Sequence, residues 1–344
     1  MSLLLSSIIG FTMKNLQCAI CSGKTKTRLL YRANFDFGKL NEKTFSARRI
    51  PDNIHYQLNK CQNCGLIFSS PILAKSKIIR FYQKSKFTYE KEAVYLAQTY
   101  LSYLKTFRPN ISPKTKILDI GCGNGFFLSE IYKLGIKNVF GIEPSSDAVS
   151  KAAPYLKKNI KIDVFRKNIF PKSHFDIITS FQTLDHVVNP NEFIKIVYKM
   201  LKAEGIALFV VHDTNGLSVK LFGEKSPIFD IEHIYLFDKE TLAAIFRKNG
   251  FKKIKIFNVN NKYPLIYWLK MTPLPPILKN PLMTILVNLK LAKIPLSLAA
   301  GNIGIAAYKL PRTKIPRYSR SSLHERADTL VLASSVLAFA FIPA

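Results

Sequence analysis

From Lys116 onward, short apolar runs alternate with longer segments whose apolar positions recur at threes and fours. The runs lie near 116–120, 138–142, 161–165, 175–181, 205–211 and 252–258, with a last one at 303–309. Their length suits buried strands. Strands alternating with helices predict an α/β fold with a mainly parallel sheet and crossover connections. Upstream, Ile79, Tyr82, Val94, Leu96, Tyr100, Leu101, Leu104 and Phe107 recur largely at helical spacing and predict linking helices over 75–112. Arg108-Pro109 and Ser112-Pro113 break that pattern and open the sheet domain, 113–310. Residues 14–74, closed by Pro71, form a small module of their own. One segment, 263–300, departs from the alternation. It is rich in Leu, Ile and Pro, with Trp268, Lys270, Lys279, Lys290 and Lys293 interspersed, and predicts amphipathic helices inserted before the last strand. No stretch of it is long enough to span a bilayer. The tail, 311–344, starts basic at Pro311-Arg312-Thr313-Lys314 and turns apolar from Thr329 to Pro343.

The first strand runs into Asp119-Ile120-Gly121-Cys122-Gly123-Asn124-Gly125, a glycine turn followed by an apolar helix. Glycines at 121, 123 and 125 let the backbone approach a ligand closely. The helix behind them offers unpaired N–H groups and the positive end of its dipole. A dinucleotide fingerprint G-x-G-x-x-G starting at Gly121 would need glycine where the chain has Phe126. The series Asp119-x-Gly121-x-Gly123-x-Gly125 instead resembles motif I of class I S-adenosylmethionine (SAM) methyltransferases, which implies a Rossmann-like sheet. Val139-Phe140-Gly141-Ile142-Glu143-Pro144 resembles their second strand, and Glu143 stands where a doubly wound fold needs an acid for the ribose hydroxyls. The resemblance implies cofactor contacts from Asp119, the three glycines and Glu143. Asn168, beyond the third strand, is a candidate adenine contact. Phe175 to Phe181 resembles motif IV, and Gln182, Asp185 and His186 follow its carboxyl edge, where open α/β sheets place ligands. Tyr89 and Tyr95 are candidates for contact with cofactor or substrate, or for simple core packing. Cys122 reads as a small packed side chain.

The other cysteines form two C-x-x-C pairs, Cys18/Cys21 and Cys61/Cys64. Beside a SAM-type turn such pairs indicate zinc rather than disulfides, hence a reducing compartment, the cytoplasm. Each pair places two sulfurs on one tight turn, and two turns complete a tetrahedral site of four thiolates, a structural zinc ribbon. The sequence has 51 Lys and Arg against 22 Asp and Glu, a formal net charge of +29. That field favours anionic partners: RNA, phosphorylated sugars or the inner face of a membrane. Lysine-rich composition spread over solvated faces is the bland alternative. Met1 to Phe11 is apolar but lacks the basic start and cleavage site of a signal peptide, and Met13 serves equally well as a start.

Methyl transfer to carbon or to a hydroxyl benefits from a group that takes a proton, and histidine can do so near neutral pH. After the fifth strand, His212-Asp213-Thr214-Asn215 stands at a strand end, and Ile231-Glu232-His233-Ile234-Tyr235 follows. Glu232-His233 before an aromatic run resembles zinc-ribbon sugar C-methyltransferases, where the corresponding histidine serves as base. That family carries a tyrosine where this chain has Asp230, and no counterpart of its larger C-terminal domain is expected. The resemblance implies His233 as base and Glu232 as its partner, with His186 the other candidate. The function expected is SAM-dependent methyl transfer to a sugar, glycan or lipid-linked small molecule. An RNA base methyltransferase is one alternative; a non-catalytic, membrane-associated binding module is another. For 263–300, an interfacial position, a greasy substrate tunnel, a dimer contact and a helical cap all remain open.

Overall fold

A computed structural model describes residues 13–23, 25–36, 40, 44, 45, 53–88, 90–272 and 274–311. Tyr89, the apolar start and the tail beyond Pro311 lie outside the described residues. The described residues through Leu310 form one compact unit.

The N-terminal module contains β1 (Met13–Lys14), β2 (Thr27–Tyr31), β3 (Leu58–Cys61), β4 (Ile67–Ser69) and β5 (Ile72–Leu73). Helices α1 (Lys75–Lys84) and α2 (Glu90–Phe107) follow. The alternating part then runs β6 (Ile117–Ile120), α3 (Phe126–Lys133), β7 (Val139–Glu143), α4 (Ser146–Ser150), α5 (Pro154–Lys157) and β8 (Ile160–Ile162). It continues with β9 (Phe175–Phe181), α6 (Pro190–Met200), β10 (Leu201–His212), α7 (Leu217–Phe222), β11 (Tyr235–Leu236), α8 (Lys239–Lys248) and β12 (Lys253–Asn258). The hairpin strands β13 (Asn261–Pro264) and β14 (Pro295–Leu298) frame α9 (Leu265–Met271) and α10 (Pro276–Asn288), and β15 (Asn302–Tyr308) ends the sheet.

All seven expected strands join one sheet in the order β12-β15-β10-β9-β6-β7-β8. The pairs along β10-β9-β6-β7-β8 are parallel, and β15 runs antiparallel to both its neighbours. Helix starts are marked in the sequence. Asn189 accepts the Glu192 N–H ahead of Pro190, and Asp238 forms a reciprocal capping box with Thr241. Alternation along the strands fills two cores. Ile117, Ile177, Leu208 and Ala306 pack on one face with Leu96 and Tyr100 of α2 and Phe127 of α3. Leu118, Ile178, Phe209 and Ile305 pack on the other with Phe193 of α6, Phe246 of α8 and the module's Phe68 and Ile72.

Two features bear on the site. The chain leaves β6 through β7 and β8 to one edge, then returns to place β9 on the opposite side of β6. That reversal opens a crevice at the carboxyl ends of β6 and β9. Second, β2, β3 and β4 form a four-stranded sheet whose outer strand is β11, with Tyr235 opposite Phe68 and Leu236 opposite Ile67. The module is therefore bonded to the loop that carries Glu232 and His233. Ser69 N–H donates to the Ile234 carbonyl at 2.8 Å, and Ser69 Oγ donates to the His233 carbonyl at 2.8 Å.

Candidate active site

A cavity of about 390 Å³ occupies the crevice, a size suited to a small ligand. Its floor is the glycine turn. Gly121 and Gly123 line it at φ +75° and +56°, and a Cβ on Gly121 would collide with the Thr183 side chain. Gly125 behaves differently from its two neighbours. It caps α3 at φ +74°, and a Cβ there would press on Leu156 and Ile160 rather than on the cavity.

Glu143, at the end of β7, lines the cavity with both carboxylate oxygens already engaged. Oε2 accepts the Gly123 N–H at 3.0 Å and Oε1 accepts the Ser145 N–H at 2.9 Å. Each oxygen keeps a second lone pair for a ligand hydroxyl. Burial raises its pKa, with the two backbone donors opposing. Asp119 also lines the cavity. Burial pushes its carboxyl up to about 7, against the hydrogen bond from Thr179 at 2.7 Å and with the Glu143 charge adding to the rise. Gln182 ends β9 in the left-handed region, φ +52°, and lines the cavity. Both polar atoms of its amide are buried without a hydrogen-bond partner among the described residues.

Asn168 does not line the cavity; Asp163, Val164, Phe165 and Arg166 do. The expected third strand to 165 is the source of that difference. Strand β8 stops at Ile162 because the Asp163 carboxylate accepts the Val164 N–H at 2.8 Å and turns the chain. The four residues of the turn therefore take the place assigned to Asn168. An acid directly after an apolar run was the available signal. Tyr82 of α1 and Tyr100 of α2 also line the cavity, while Tyr95 packs with Tyr263 instead.

Glu232 and His186 also line the cavity; His233, 6% exposed, is not among its lining residues. The rings of His186 and His233 meet edge-on at 4.9 Å, and those of His212 and His233 lie 4.3 Å apart. His233 Nδ1 is 2.6 Å from the Ile228 carbonyl. A carbonyl only accepts, so Nδ1 carries the proton and Nε2 of the neutral ring keeps a lone pair. Asp185 anchors the cluster: its Oδ2 lies 2.5 Å from His212 Nδ1 and its Oδ1 3.7 Å from His186 Nε2. Burial would raise the Asp185 carboxyl, but the His212 and His186 rings hold it well below the usual range. For His186, burial lowers the pKa to about 4, with Asp185 opposing and the other two histidines adding to the fall. The ring is neutral at physiological pH, and Tyr82 Oη lies 2.8 Å from its Nδ1. Asp230, which stands in place of a tyrosine, accepts the Glu232 N–H at 3.1 Å and shapes the turn. The partnership of His212 with Asp185 joins residues far apart in the chain, and no spacing rule exposes it.

The four cysteines of the two pairs come together as expected. All four sulfurs lie within 4.8 Å of one another, with Cys18 to Cys64 at 3.4 Å and Cys21 to Cys61 at 3.9 Å. These separations exclude disulfides, whose sulfurs sit near ~2.05 Å. Cys122 is buried in the turn, its sulfur against Gly141 of β7.

Residues 91–256 match a methyltransferase-domain family. The ubiquinone biosynthesis O-methyltransferase of Bradyrhizobium diazoefficiens is 32% identical over 111 residues, 31% of this chain and 43% of its own. The mitochondrial enzyme of the same name from Saccharomyces cerevisiae is 33% identical over 104 residues, 28% of this chain and 33% of its own. Human EEF1A lysine methyltransferase 2 is 31% identical over 129 residues, 33% and 54% of the two chains. The chain thus spans between a third and about half of the length of these relatives. A solved Thermotoga maritima SAM-dependent methyltransferase, described as a possible histamine N-methyltransferase, is 21% identical with a TM-score of 0.41. It covers 64% of this chain and 95% of its own. The glycine turn, the reversal point of the sheet and the matched relatives coincide: residues 91–256 are a class I, SAM-dependent methyltransferase domain.

Proposed function

We propose that the protein transfers a methyl group from SAM to a small-molecule acceptor, a hydroxyl or an acidic carbon of a sugar, glycan or lipid-linked intermediate. The observation that carries the reading is the cavity itself. It is lined by cofactor-type groups, Glu143 and the unpartnered Gln182 amide, and by ionisable groups, Glu232 and His186. The residues fit SAM. Glu143 has lone pairs left for two ribose hydroxyls, the Gln182 amide offers a donor and an acceptor, and Gly121 and Gly123 leave room for backbone approach. Bound SAM supplies an electrophilic methyl on a sulfonium, and the chain's task is to align the acceptor and remove its proton. His233 does not itself line the cavity, so on this reading it takes that proton through one bridging water, with Glu232 at the cavity wall stabilising the charge that develops. His186 has a reading of its own, because it faces the cavity directly. The relatives include an O-methyltransferase and a lysine methyltransferase; a cavity of this size favours a small acceptor over a nucleic acid. The test is release of S-adenosylhomocysteine across a panel of nucleotide-sugars, polyprenyl-linked glycans, phenols and RNA. Turnover with RNA alone would overturn the acceptor class.

Glu143→Ala should weaken SAM binding by roughly tenfold to over a hundredfold, the range for hydrogen bonds to a charged group, read by calorimetry. Part of that loss reflects the turn, since Gly123 and Ser145 lose their acceptor. Glu143→Gln, which keeps an oxygen, should fall between. Unchanged affinity in both variants would place the ribose elsewhere.

We further propose that Cys18, Cys21, Cys61 and Cys64 hold one structural zinc ion. Tetrahedral Zn–S bonds of about 2.3 Å set sulfurs about 3.8 Å apart, close to the observed separations. Four thiolates leave no open position on the metal, so its role is to fold the module.

A further inference from the structure

We infer that the inserted helix α10 docks on an anionic lipid surface. Strand β13 anchors the insertion through Tyr263, which is buried against α2 and packs with Tyr95, Tyr267 and Trp268. Beyond that anchor the apolar surface faces outward. None of the 13 residues of α10, Pro-Ile-Leu-Lys-Asn-Pro-Leu-Met-Thr-Ile-Leu-Val-Asn, is buried. Ile277 is 80% exposed, and Leu282, Ile285, Val287 and Leu289 are exposed as well. A helix this apolar is ordinarily covered, and a contiguous apolar patch marks a docking surface.

Charge decides what covers it. Between Glu240 and Glu325 the sequence contains no Asp or Glu. The insertion and its hairpin carry Lys262, Lys270, Lys290 and Lys293 at the surface, with Lys279 half-buried. A second copy of this face would bring lysines against lysines with no acid to pair them, whereas phosphate headgroups complement them. Length decides how. Thirteen residues of helix extend about 20 Å, short of a hydrocarbon core of about 30 Å. Among the described residues no helix is long and apolar enough to cross a membrane. The helix therefore lies in the headgroup layer with its apolar side chains inward, its Lys279 and the flanking Lys270, Lys290 and Lys293 at the phosphates. Pro281 within the helix is no obstacle there, since the backbone it frees is at the interface. This inference stands apart from the identity of the acceptor: lipid docking and SAM turnover are read separately.

The test is sedimentation of the full chain with vesicles of equal parts phosphatidylglycerol and phosphatidylcholine, beside phosphatidylcholine alone. The protein should pellet with the anionic vesicles, less so at high salt, and stay in solution with the neutral ones. The triple variant Lys279→Gln, Lys290→Gln, Lys293→Gln should partition about a hundredfold less, near fivefold for each lysine. Leu282→Glu with Ile285→Glu should abolish binding while SAM affinity and melting temperature hold, because neither side chain is in a core. Two results overturn the inference. One is an intact protein that ignores anionic vesicles; the other is a stable dimer that the Leu282→Glu, Ile285→Glu variant dissociates.

Discussion

Replacing His233 with alanine should lower turnover by about 10²- to 10⁴-fold, the usual contribution of a positioned acid–base group, while leaving SAM affinity nearly intact. The expectation follows from the ring's surroundings. The Ile228 carbonyl fixes the proton on Nδ1, so Nε2 is the basic atom, and the residue's chain neighbour Glu232 lines the cavity. The rate of the wild type should fall on the acid side as the imidazole protonates, and His233→Ala should lose that limb. Glu232→Gln should cost less, since its part is to stabilise charge and orient. His186→Ala is the deciding partner experiment. His186 faces the cavity but is held neutral down to about pH 4, which makes it a weak base and a good support for Tyr82. Full turnover in His233→Ala together with loss in His186→Ala would move the base to His186. The fold and cofactor wall would stand; the sugar-methyltransferase analogy would not.

The second large effect concerns the metal. Elemental analysis should find one zinc ion per chain in the wild type and none in Cys61→Ser, which should also leave little soluble protein. Structural zinc binding is worth about 10–16 kcal/mol at neutral pH, as much as the whole stability of an ordinary domain. The consequence reaches the active site, because β11 completes the module's sheet directly after His233 and Ser69 bonds to both His233 and Ile234. Lys248 of α8 donates to the Ala19 and Ile20 carbonyls beside the first cysteine pair, a further tie. Slow chelation of the wild type should therefore cost turnover even in molecules that stay folded. A metal-free protein that is well folded and fully active would refute the ribbon.

Local patterning made most of the sheet legible. Runs such as Ile117 to Ile120 and Phe175 to Phe181 are apolar on both faces because both faces are covered, and their bounds needed little correction. The strand at 160–162 was harder, since its last two residues are exposed and the turn at Asp163 is a side-chain effect. Paired cysteines and spaced glycines are short-range signals, and they led to the turn and the sulfur cluster. Contacts between distant residues left no such trace. Nothing in the sequence near Asp185 announces His212, and nothing near Phe68 announces Tyr235. The exposure of α10 was equally hidden, because apolar helical spacing describes a buried helix and an uncovered one alike.

The shared sheet also has a meaning for synthesis. A ribosome releases β2, β3 and β4 long before Tyr235 and Leu236 emerge, so during that interval the β4 edge, Ile67 to Ser69, has no neighbour on its open side. An unpaired apolar edge is a template for pairing with another chain. The nascent protein must therefore shelter that edge until the loop carrying His233 arrives. Expression of the first 74 residues alone would leave it permanently open. Any recombination that exchanged the module between proteins would have to carry a compatible strand from the far side of the methyltransferase domain with it.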